Sequence, residues 1–142
     1  MKTGRTLADV INGQIQLEKE TGKKFGILEQ RVDSPAARLL IREMQLDTKK
    51  HAEILELALK FIGGPKSFWE LAVDVDVDKR NVKKELEEHI KAEEKMMRQI
   101  EEELKKTDDE ALKLLLEHFA EDEKKHHANL KTILNKAYKI EI

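Results

Sequence analysis

At 142 residues the chain is one domain in size, and a hydrophobic fraction of 39% with aromatics at 4%, two prolines and six glycines leaves little to interrupt helices. Lys plus Arg (27) nearly balance Asp plus Glu (29), for a net charge of -2, which argues against the one-signed field that a nucleic-acid or membrane-surface partner needs. Zero cysteines exclude disulfides, thiol catalysis, iron–sulfur clusters and thiolate zinc sites, so any metal must be held by His and carboxylate.

The opening MKTGRTLADVING has no apolar leader, and no run of about 18 apolar residues follows. The expectation is a cytoplasmic protein. From Leu7, the residues Ile11, Gln14, Glu18, Thr21/Gly22, Phe25, Leu28 and Val32 recur at spacings of three and four, which predicts a first helix over about 5–32. Asp33-Ser34-Pro35 closes it and opens a second helix, with Ser34 as N-cap and Pro35 at the first helical position. That helix carries Ala37, Ile41, Met44, Thr48, His51, Leu55, Ala58 and Ile62 on one stripe and stops at Gly63-Gly64-Pro65. Residues 63–78, rich in Val and containing Phe68 and Trp69, are too long for a tight turn and apolar enough to pack. They predict a long crossover between helices 2 and 3, with a short helical turn near Ser67 to Leu71 and a cover for one bundle end or a dimer contact. The third helix spans about 79–106 on Val82, Leu86, His89/Ile90, Glu93, Met96/Met97, Ile100 and Leu104. Thr107 with Glu110 fits a capping box, and the fourth helix, about 108–137, follows on Leu112, Leu115, Phe119, Asp122/Glu123, His126, Leu130, Ile133/Leu134 and Ala137. His118 and His127 read as surface residues, and YKIEI as a tail. The fold class is all-α, a four-helix arrangement in a single domain over 1–142.

One polar phrase occurs twice: DTKKHA from Asp47 and DEKKHH from Asp122. A shift of 75 residues aligns Gln14 to Ile62 with His89 to Ala137 without a gap, and 12 of the 49 pairs are identical, against roughly three expected by chance. Glu18 pairs with Glu93, Asp47 with Asp122 and His51 with His126, whereas Thr48 stands opposite Glu123. Glu18, Glu93, Glu123 and His126 sit on stripes where Leu or Ile would be cheapest, and an unpaired buried carboxylate costs several kcal/mol. A divalent cation compensates such groups directly, because Glu and His three apart share one helix face.

A lone Glu on the first and third helices, with Glu-x-x-His on the fourth and its remnant Thr-x-x-His on the second, resembles the di-iron carboxylate signature of the ferritin-like superfamily. The likeness to its rubrerythrin branch covers about residues 5–137. The resemblance implies a ferritin-like four-helix bundle with Glu18 and Glu93 as terminal carboxylates, His51 and His126 as imidazole ligands and Glu123 as a bridging carboxylate. It further implies that Asp47 orients His126 and Asp122 orients His51. Two positions depart from the family pattern: Thr48 replaces the second bridging Glu, and Met96 stands where rubrerythrins carry an additional Glu. His89, one turn before Glu93, is the best substitute for an extra ligand. The function implied is an iron-dependent oxidoreductase of ferroxidase or peroxidase type, reacting with dioxygen or hydrogen peroxide. Two ions are expected at most, manganese or zinc are alternatives, and the assembly implied is a homodimer. The competing reading is a structural or interaction bundle in which the metal site has decayed.

Overall fold

Each helix begins on a side chain that accepts from its own first turn. In the computed structural model, which describes residues 5–139, the four α-helices are α1 (Leu7–Arg31), α2 (Pro35–Ala58), α3 (Lys79–Lys106) and α4 (Glu110–Ala137). Thr6 and Asp9 form a reciprocal capping box on α1, each backbone N–H donating 3.1 Å to the other's side chain. Ser34 Oγ accepts from Ala37 N at 3.2 Å with Pro35 in the first turn, as the sequence predicts. Asp78 caps α3 and Asp109 caps α4. The expected Thr107–Glu110 box does not form. Thr107 instead ends α3, its hydroxyl accepting from Asp109 N at 3.2 Å, while the Asp109 carboxylate accepts from Leu112 N at 2.8 Å. An anionic acceptor beside the positive end of the helix dipole outcompetes a hydroxyl two residues earlier.

The second helix ends at Ala58, four residues short of the expectation. Its last turn tightens: Lys60 N and Phe61 N donate three residues back, to Leu57 O and Ala58 O, and Gly63 adopts a left-handed φ of 99°. A 3-10 turn at Phe68–Glu70 fulfils the expected short helical turn. Every one of residues 63–78 is exposed in the single chain, so the packing expected of them within the chain is not found. Phe68 meets Phe61 edge-on at 5.9 Å, and Val73 and Val75 face water. Alternating Val with Asp over 73–78 puts a charge beside each apolar side chain, which opposes burial of the strip. Residues 140–142 of the expected tail lie outside the described residues.

The chain divides into two compact units, Met1–Phe68 and Trp69–Ile142, each a helical hairpin: α1 on α2, and α3 on α4. The first hairpin buries Ile15, Ile41 and Ala52 together with two polar residues, Thr48 and Glu29. Ile41 and Thr48 are buried on the predicted α2 stripe, and on α1 the contact line runs through Ile15, Gly22, Gly26 and Glu29, while Gln14, Leu28 and Met44 of the predicted stripes are exposed. Small residues bring that line together. Cβ atoms added at Gly22 and Gly26 would stand 2.7 Å from Thr48 Oγ1 and 2.8 Å from Gln45 Nε2, and Gln45 Nε2 donates to Gly22 O at 3.4 Å. Nearer the turn, the Arg42 guanidinium donates to both Glu29 oxygens at 2.7 and 2.6 Å, and Arg38 donates to Val32 O at 2.7 Å. The second hairpin buries Ile100, Leu115 and Leu116. Ile41 and Leu116, equivalent in the 75-residue repeat, are both buried. Among the described residues no helix is long and apolar enough to cross a membrane.

The Arg42 fork holds the Glu29 carboxyl below the usual carboxylate range, its hydrogen bonds outweighing the opposing effect of burial. A depressed folded pKa stabilises above the unfolded value of about 4.3, and that contribution disappears as pH falls through the folded value. Glu29→Gln should therefore lower Tm by a few degrees at pH 7, with the wild-type and variant melting curves converging under acid, a trend that a Tm-against-pH series would read. Gly22→Ala should destabilise by about 1–2 kcal/mol through overpacking despite the roughly 1 kcal/mol that Ala gains over Gly in helix propensity. Denaturant titration should show the loss largely recovered in the Gly22→Ala, Thr48→Ala double variant.

Candidate metal centre

In the second hairpin α3 supplies Glu93, and α4 supplies Glu123 and His126, three residues apart and so on one face. The two glutamate side chains are 15% and 16% exposed, whereas His126 is 53% exposed. His126 Nδ1 lies 3.6 Å from Glu123 Oε2 and 3.8 Å from Glu93 Oε2. Both separations are too long for a hydrogen bond. The two carboxylate oxygens are out of water and have no hydrogen-bond partner, an arrangement that costs free energy for each anion left unpaired. One ligand atom from each residue lies within 4.8 Å of the other two. An ion about 2.0–2.2 Å from its donors needs them no more than about 4.4 Å apart, a limit that both separations from His126 Nδ1 meet. Two carboxylates and one imidazole form a hard-to-borderline donor set that suits iron, manganese or zinc. The residues present fit a divalent ion.

The first hairpin treats its counterparts differently. His51 Nδ1 is 2.8 Å from Glu18 Oε2, a distance at which the two groups touch directly. Thr48, equivalent to Glu123, is 8% exposed, and its hydroxyl donates to Gln45 O at 2.7 Å. An open groove of about 760 Å³ runs along this seam beside Glu18, Gly22 and Thr48. Lys19 and Glu56 pair at 3.1 Å across the same two helices.

Of the expected orienting residues, Asp47 lies 3.4 Å from Lys50 Nζ and Asp122 lies 3.4 Å from His118 Nε2, one turn away on its own helix. His89 is exposed and stands outside the Glu93–Glu123–His126 group. His127, expected at the surface, is only 19% exposed, with Nε2 3.8 Å from Glu94 Oε1. It occupies the repeat position of buried Ala52, which explains its cover.

The polar pair that sequence reading missed is Glu29–Arg42. Its signal was present: the two residues stand at nearly equal distances from the Ser34-Pro35 turn, as do Gly22 with Thr48 and Gly26 with Gln45. Antiparallel hairpin register alone places them opposite one another.

Residues 9–134 match the rubrerythrin family. No curated protein and no solved structure matches the chain. With the match spanning nearly the whole chain, four helices and a carboxylate–imidazole group at the repeated positions, this protein belongs to the rubrerythrin family and is all-α, of the ferritin-like four-helix bundle class.

Proposed function

We propose that this protein is an iron-dependent oxidoreductase of the ferroxidase or peroxidase kind, with Glu93, Glu123 and His126 at the centre of its metal site. The observation that carries the metal reading is the pair of buried, partnerless oxygens on Glu93 and Glu123 beside His126 Nδ1. Family membership supports iron over manganese or zinc, and dioxygen or hydrogen peroxide as co-substrate. Bound iron would supply exchange of electrons between its ferrous and ferric states. The chain's residues hold and shield: the two carboxylates cancel the ion's double charge, and the neutral imidazole adds a donor without adding charge. Glu18 and His51 are the family's remaining ligand positions, with Asp47 and Asp122 as orienting residues and His89 as the candidate for an extra ligand. A single ferritin-like domain over residues 1–142, a cytoplasmic location and a homodimer complete the reading. The homodimer is supported by large apolar side chains left exposed on the helices, among them Leu39, Ile54 and Leu114.

Titrating ferrous ion into metal-stripped protein under air should develop a ferric absorption band that Glu93→Ala and Glu123→Ala each abolish. A chain that binds no iron and melts at the same temperature with and without it would overturn the proposal. Without metal the same carboxylates are a burden. Glu123→Leu in stripped protein should leave stability unchanged or raise it by about 1–4 kcal/mol, read from melts in chelator.

A further inference from the structure

The two hairpins carry one sequence phrase and build different chemistry from it. In α3 and α4 three donors converge, and the gaps between them, 3.6 and 3.8 Å, suit an ion between them better than a proton shared by any two. In α1 and α2 the corresponding donors number two, and they are joined to each other at 2.8 Å. The third position is Thr48, whose proton goes to Gln45 O and whose side chain fills the space above Gly22. At the position equivalent to Gly22 the second hairpin has Met97, and opposite Glu123 stands no glycine. The close approach at Gly22 and the short side chain at Thr48 therefore belong together: one makes room that the other fills. Charge leads the same way. Glu93 and Glu123 neutralise one divalent ion, whereas Glu18 alone would leave a second ion half compensated.

We propose that the chain binds one divalent ion, held by Glu93, Glu123 and His126 on the α3–α4 hairpin, and that Thr48 excludes a second by closing the α1–α2 hairpin around Gly22. This rests on the metal-binding reading above and fixes its stoichiometry and location. Glu18 and His51, in contact with each other at 2.8 Å, keep that geometry whether or not the ion is bound.

Equilibrium dialysis of the full metal-stripped chain against manganese(II), with electron paramagnetic resonance of the bound ion, tests it. The expected result is one ion per chain with the signal of an isolated ion. Glu123→Gln and His126→Gln should each weaken binding at least tenfold, and His51→Gln should change it less than threefold. Thr48→Glu, where circular dichroism shows the native helix content, should bind two ions. His51→Gln carries the same question without disturbing the packed seam. Two ions in the wild-type chain, an exchange-coupled pair signal, a loss in His51→Gln equal to that in His126→Gln, or a folded Thr48→Glu chain still binding one would overturn the proposal while leaving a metal protein. No bound manganese or iron at all would overturn it together with the metal-binding reading.

Discussion

Two carboxylate oxygens placed out of water with no proton donor in reach are the constraint on which the second hairpin turns. Buried anions of like charge repel, and a helix seam offers Leu or Ile at far lower cost in the same place. Glu93 and Glu123 nevertheless stand there, 15% and 16% exposed, with a ring nitrogen just beyond hydrogen-bond range. The arrangement is a poor core and a good cation cradle. Neither residue type nor burial alone says so, since a glutamate can be buried and content. Glu29, 5% exposed, is held by a two-pronged guanidinium contact.

That comparison separates the halves of the molecule. In the first hairpin the inward polar groups answer one another: Glu29 meets Arg42, His51 meets Glu18, and Thr48 returns its proton to its own helix. Glycines at 22 and 26 let the helices approach closely enough for these short side chains to matter. The second hairpin has no glycine on either helix, and Leu104 and Glu117 stand at the repeat positions of Glu29 and Arg42. Its seam rests on Ile100, Leu115 and Leu116, with the three donor groups beside them. The same repeated phrase thus sits in a paired, packed seam in one hairpin and in an unpaired carboxylate–imidazole group in the other.

Helix number, order and type were legible in the sequence because spacings of three and four, a Ser-Pro start and a Gly-Gly stop are local signals. The Glu-x-x-His phrase and its repeat pointed to one set of five residues, Glu18, His51, Glu93, Glu123 and His126, of which the second hairpin brings together Glu93, Glu123 and His126 while the first pairs Glu18 with His51. Three features were not legible. The Asp109 cap required weighing a carboxylate against a hydroxyl two residues away. The exposure of residues 63–78 required knowing that a Val-Asp alternation would not fold back onto its own chain. The Glu29–Arg42 clamp required hairpin register, a property of two segments at once, which a stripe drawn on one helix cannot contain. The exposure of Gln14, Leu28 and Met44 on otherwise correct stripes has the same origin.

The clamp near the Ser34-Pro35 turn bears on how the protein is made. Its partners are 13 positions apart, both lie in the half synthesised first, and loop closure over so short a span is entropically cheap. That half can reach its native shape before the C-terminal helices have left the ribosome, without drawing on the cell's supply of metal. On the proposed site, metal loading is then a question for the C-terminal half alone, where Glu93 and Glu123 stand.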